Sequence, residues 1–268
     1  MTHTRYLILL LILTSLTVAQ VGSVSGFPAS SFTFEDGDWY DNWRIDRNYS
    51  EGPNGYLPNL AYETLGDNKE LAYRIGESFQ ENYPGKTQRA VAILKYVQKW
   101  TQYGYDSDNV IRDGVPQDEW AWNADEMAHA FNETTGVKAT GDCEDLAFLC
   151  CTIYEGAGFD AAMVDATDHC ALLIWLPEFP NANDYWDIND GRGAGWIWVE
   201  ATGSANPLGW TPPDFEDGRW TAYPIGSSHT APQPEPSQPT LGFTDILGIV
   251  VAIILSIILS LIRQRRPY

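Results

Sequence analysis

Three short stretches carry residue types that together could open an amide bond. Gly141-Asp142-Cys143-Glu144-Asp145-Leu146-Ala147 sets a cysteine after a turn, at the start of an apolar helical run. Asp168-His169 opens an apolar strand, and Trp198-Val199-Glu200-Ala201-Thr202 closes the next one on a carboxylate. A thiol, an imidazole and a carboxylate supply a nucleophile, a base and an orienter, the cast for acyl transfer through a thioester. A free thiol ionises near pH ~8.5, and a helix N-terminus or a nearby imidazolium lowers that value. The dipole and unpaired N–H groups of the first turn provide such a field at Cys143. Glu144 and Asp145 are expected to point away from the Cys143 face, because successive helical positions turn by about 100°. Cys150, Cys151 and Cys170 read as small buried hydrophobes.

The elements that must position these groups follow from periodicity. Apolar spacing predicts helices over 67–83, 87–103 and 124–133. A fourth begins at Cys143, with Asp142 as N-cap and Asp145 as its capping-box partner, and ends at Gly156 or Gly158. Strands are expected over 161–165, 169–176 and 196–201. Helices followed by an antiparallel sheet make an α+β order. Within the second strand His169, Ala171, Leu173 and Trp175 share one face, while Cys170, Leu172 and Ile174 share the other. Trp196, Trp198 and Glu200 share a face of the third. Antiparallel pairing through 177–195 would bring His169 and Glu200 to one rim, where the Cys143 helix could also arrive. Cys170, turned the other way, is expected near Cys150 or Cys151, or as a free thiol.

The run Gly-Asp-Cys-Glu-Asp-Leu-Ala, then a histidine opening an apolar strand, then Trp-x-x-carboxylate-x-Thr, resembles the transglutaminase-like superfamily of papain-fold proteins. It is similar above all to prokaryotic transglutaminase-like cysteine proteinases. The resemblance spans 67–202 and takes in Tyr103-Gly104-Tyr105-Asp106 and the Trp122 segment, with Ala124 where the looser pattern has proline. It implies a papain-like core, N-terminal helices packed on an antiparallel sheet, and a triad of Cys143, His169 and Glu200. The third position is commonly Asp in such proteins, so exchange of Glu200 for Asp is expected to be tolerated. By the same analogy Trp122 and Gln98 become candidate oxyanion donors beside the Cys143 N–H. The implied activity is that of a cysteine protease or amidase on protein or peptide substrates. Protein cross-linking is the alternative, as is a non-catalytic cell-surface binding module on the same fold.

No phosphate loop is present and no spacing suggests zinc, so no cofactor is required. Calcium, which some related proteinases use, is possible, with Asp106, Asp108, Asp187 and Asp190 as candidate ligands. The formal net charge of −20 makes nucleic acid a poor partner. At the ends, 1–22 reads as a signal peptide or N-terminal anchor. Four prolines make 227–242 a stalk. The run 243–262, uncharged from Ile246 to Ile262, reads as a transmembrane helix, and the arginines of 263–268 as a cytoplasmic tail. These segments predict a membrane protein whose 27–226 domain faces outward, towards substrates at the cell surface.

Overall fold

A computed structural model describes residues 28–49, 55–63 and 71–225. In chain order, β1 (Phe32–Glu35) and β2 (Asp38–Asp41) form a hairpin, followed by α1 (Tyr56–Glu63), α2 (Leu71–Asn82) and α3 (Lys86–Trp100). Next come β3 (Thr101–Tyr103), the short α4 (Asp106–Asn109), the hairpin of β4 (Ile111–Arg112) and β5 (Val115–Pro116), and α5 (Ala124–Ala130). β6 (Ala139–Gly141) runs into α6 (Cys143–Gly156), and then β7 (Ala161–Ala166), β8 (His169–Trp175), β9 (Trp196–Val199) and β10 (Trp220–Ile225) complete an antiparallel sheet of order β10-β7-β8-β9. The architecture is α+β, with helices ahead of the sheet.

One expectation is corrected here. Among the described residues no helix is long and apolar enough to cross a membrane. The α+β fold therefore stands without a transmembrane helix, and neither the membrane partnership nor the membrane localisation is carried further. The segments 1–22, 227–242, 243–262 and 263–268, on which those expectations rested, lie outside the described residues.

Two other differences have local causes. The helix expected over 87–103 stops at Trp100, because Thr101 turns extended (φ −116°, ψ 164°) and residues 101–103 pair in parallel with β6. This pairing matches Tyr103 to Gly141, two residues before Cys143. The sheet gains β10 on the far side of β7, a strand whose mixed sequence Trp220-Thr-Ala-Tyr-Pro-Ile225 gave no clean alternation.

The sheet is buried on both faces. Cys170, Leu172, Ile174, Ile197 and Val199 pack with the helices in the larger core. Ala171, Leu173, Trp196 and Trp198 pack into a smaller, aromatic one closed by Trp186, Phe215 and Trp220. α6 is enclosed along nearly its whole length, with every residue from Glu144 to Tyr154 buried. Its crossing with α2 is possible only because both helices present glycine. A Cβ at Gly76 would lie 2.1 Å from the Ile153 carbonyl oxygen, and one at Gly156 would lie 2.1 Å from that of Tyr73. Backbone cannot yield as a side chain can, so Gly76→Ala is expected to force the helices apart and cost about 3 kcal/mol. Urea denaturation of the variant checks this; an unchanged midpoint would mean the crossing is looser than described.

Candidate active site

The Gly-Asp-Cys-Glu-Asp motif is a helix-capping device built around Asp145. Its buried carboxylate accepts the N–H of Asp142 (3.2 Å) and, from a distant loop, the N–H of Trp122 (2.7 Å). Gly141 is required beside it, since a Cβ there would sit 2.5 Å from Asp145 Oδ2. Gly104 bonds through its N–H to the Gly141 carbonyl (3.0 Å), which ties the Tyr103–Asp106 turn to the same point. Cys143 is thereby held in the first turn of α6, half-buried on the wall of a cleft of about 940 Å³. Tyr103, Tyr105, Glu119, His169 and Trp220 also line that cleft.

His169 follows a two-residue hairpin turn, Thr167-Asp168, in which Asp168 adopts φ +54°. Asp is among the few residues that accept this left-handed conformation readily. The imidazole stacks on Phe215 (5.2 Å between centroids, 10°), which in turn stacks on Trp198 (5.5 Å). Its Nε2 is bonded to Glu200 Oε2 at 2.9 Å, leaving Nδ1 for the neighbouring Cys143 sulfur, whose charge acts on the imidazole.

Glu200 is 3% exposed and densely held. Thr202 donates to Oε1 through its backbone N–H (3.1 Å) and through its hydroxyl, and Trp198 Nε1 donates to Oε2 (3.3 Å). The motif Trp198-x-Glu200-x-Thr202 thus uses strand period two to put both donors on the side of their acceptor. Register explains the glutamate. Leu172 pairs with Val199, so continuing the ladder sets Ala171, not His169, level with Glu200. His169 lies one diagonal further on, a separation that suits a long side chain. The longer side chain of Glu200 suits this offset.

Cys143 and His169 do meet, but not on one face of the sheet. α6 packs on the face that carries Cys170, and Cys143 stands at the rim where both neighbours on β8 reach it. Cys170 therefore faces Cys143 and not Cys150 or Cys151, and all four thiols are free. Hydrogen bonding from Cys170 is the largest influence on the Cys143 thiol. Burial opposes it, and the bond and charge of His169 reinforce it, bringing the thiol down to about 4. For His169, burial disfavours the imidazolium, yet hydrogen bonds to Cys143 and Glu200 together with their charges raise it to about 9. Burial works against the Glu200 carboxylate too, but His169, Thr202 and Trp198 hold it below its ordinary value.

Glu144 does not point away as expected, for its Oε2 lies 3.4 Å from Cys143 Sγ. Burial, followed by the charge of Asp145, drives its carboxyl well above the ordinary range, which favours a proton on the group beside the sulfur. A neutral acid can donate to a thiolate; a carboxylate would repel it.

The candidate oxyanion donors lie elsewhere. Gln98 gives both amide hydrogens to carbonyls, those of Glu200 (3.2 Å) and Asn206 (3.0 Å), and so braces the Glu200 backbone. Trp122 packs against Trp120 and the Arg112 guanidinium, outside the lining of the cleft. Sequence reasoning missed Cys170 and Glu144 as neighbours of the sulfur; both are adjacent in the chain to residues it singled out.

The four calcium candidates do not converge. Asp190 is paired with Arg192 and accepts from Trp196 Nε1, while Asp187 caps the Asn189 N–H. Among the described residues, neither these nor Asp108 joins a group of three ligating side chains. Asp106 does gather with Asp142 and Asp145. However, Asp145 spends its oxygens on N–H groups and Asp106 Oδ2 accepts from Trp120 N–H at 2.6 Å, leaving Asp106 Oδ1 and Asp142 Oδ1. Two open oxygens fall short of the roughly six to eight that Ca²⁺ takes. A bound proton suits the cluster better, because burial and the charge of Asp142 push Asp106 up to about 8.

This cluster has a measurable consequence. A carboxyl with a raised folded-state pKa favours folding at low pH, and that contribution is lost as pH rises towards the folded value, here about 8. Asp106→Asn keeps an acceptor for Trp120 N–H and turns a donor towards the other carboxylates. The variant is expected to lose less stability than the wild type between pH 5 and 8 and to be the more stable at pH 8. Urea midpoints across that range check it; parallel profiles would show that Asp106 carries no shifted proton.

Comparison of the chain with protein-family models, with curated proteins and with solved structures returned no match.

Proposed function

We propose that this chain is a thiol enzyme that opens amide bonds of protein or peptide substrates, a cysteine peptidase or amidase of the transglutaminase-like kind. The observation that carries the reading is His169, held by Glu200 at 2.9 Å and lining, together with Cys143, the wall of one open cleft. In the resting site the Cys143 proton resides on His169. The thiolate attacks the substrate carbonyl carbon, and the oxyanion forms against the Cys143 backbone N–H, a first-turn donor without an intrahelical acceptor. His169 Nδ1–H then passes its proton to the departing amine as the C–N bond breaks, leaving a thioester. Water, deprotonated by the same nitrogen, attacks the thioester carbonyl and returns the sulfur as thiolate. Glu200 keeps Nε2 protonated throughout, so that Nδ1 alone exchanges protons.

The sign of the pH dependence follows. The thiolate persists above about 4 and the imidazolium below about 9, so the reactive ion pair occupies the interval between. Alkylation of Cys143 by iodoacetamide, resolved by peptide mass spectrometry, is expected to be fast and nearly flat from pH 5 to 8. His169→Ala is expected to slow it at pH 6 by more than about tenfold, towards the profile of an ordinary thiol. Labelling that climbs only above pH 8 in both proteins would refute the reading. Where a hydrolysed peptide has been found, Glu200→Asp is expected to lower kcat/KM by roughly a hundredfold, the scale of a misplacement near 1 Å. Hydrolysis that survives Cys143→Ala would equally defeat the proposal.

A further inference from the structure

Cys170 takes no part in acyl transfer, yet its sulfur lies within 4.8 Å of the Cys143 sulfur. The two thiols differ in access. Both line the same cleft, but Cys143 is half-buried, where a small oxidant can reach it, while Cys170 is buried and only 7% exposed. Cys150 and Cys151 are sealed in the body of α6 and no more than 1% exposed. From this arrangement we infer that Cys143 and Cys170 form an oxidative modification site, in which a peroxide oxidises Cys143 and Cys170 resolves the product to a reversible disulfide. The inference rests on the proposed function only in taking Cys143 as the reactive thiol.

The chemistry balances in two steps. The Cys143 thiolate displaces hydroxide from hydrogen peroxide, so the O–O bond breaks and sulfur gains an S–OH group. The Cys170 sulfur then attacks that sulfenic sulfur, an S–S bond forms, and the S–OH oxygen leaves as water with the Cys170 proton. Two electrons pass from the pair of sulfurs to the peroxide. Low thiol pKa, access and a resolving neighbour are the attributes of redox-sensing cysteines. The gap has to close to about 2 Å, the length of an S–S bond. The disulfide withdraws the nucleophile, and it also shields Cys143 from the irreversible sulfinic stage.

The test treats the full chain with graded hydrogen peroxide, blocks remaining thiols with an alkylating agent, and maps peptides without reduction. The expected result is loss of alkylatable Cys143 together with a cross-linked pair of peptides containing Cys143 and Cys170, two hydrogen masses light, both reversed by dithiothreitol. In Cys170→Ser, Cys143 is expected to proceed to sulfinic acid that dithiothreitol does not reverse. The wild-type cross-link is decisive even if that variant fails to fold. Sulfinic Cys143 in the wild type without a cross-link, or a cross-link to Cys150 or Cys151, would overturn the inference. Because the readout is mass, a cross-link in a chain that cleaves no peptide supports this site while defeating the enzyme reading. Peptide cleavage without a cross-link does the reverse.

Discussion

The burial of α6 on nearly every side is the constraint on which the rest of the molecule depends. Helices pack round it and β7 and β8 lie against it, so its axis has no freedom to tilt or slide. Gly76 and Gly156 let the α2 backbone come close enough to complete that enclosure. Apart from Glu155 near the far end, only Cys143, in the first turn, reaches solvent. A residue placed there is aimed by the whole core, and the sequence puts Cys143 in that position. Rigid support of this kind keeps a reacting atom within the small tolerance that catalysis requires.

That same first turn poses an electrostatic problem. It sets Glu144 beside the sulfur and gathers Asp106, Asp142 and Asp145 in an adjoining cluster, in a chain of net charge −20. Four carboxylates at this spot would oppose a thiolate. Burial removes the conflict by keeping protons on several of them, Asp106 and Glu144 among them, and Asp145 directs its oxygens to backbone N–H groups. The acidic motif is then a hydrogen-bonding frame of reduced charge, and the thiolate is favoured by Cys170 as a donor, by His169 and by the helix terminus.

On the other side of the sulfur, the sheet does the positioning. Strand period two places Trp198, Glu200 and Thr202 together, and the β8–β9 register decides how far the carboxylate must reach. Phe215, from the 3₁₀ turn Pro213–Phe215, stacks on the imidazole and restrains its plane. The smaller aromatic core thus bears directly on the orientation of His169, whereas the larger core bears on Cys143.

Much of this was legible in the sequence. The α+β order, the capping role of Asp142 and Asp145, the strand opened by His169 and the face shared by Trp198 and Glu200 all follow from local periodicity and side-chain chemistry, which act within a few residues. Contacts between elements were not legible. Which face of the sheet α6 would cover decided that Cys170 meets Cys143, and the β8–β9 pairing decided how far Glu200 reaches to His169. Gln98 was read as an oxyanion donor by analogy with the family the motif resembles, but a helix–loop contact had already claimed both its hydrogens. The sequence by itself determined which groups carry chemistry and which elements hold them. Only the tertiary structure decided which atoms face one another and which carboxyls keep their protons, because distance and burial arise from packing between segments far apart in the chain.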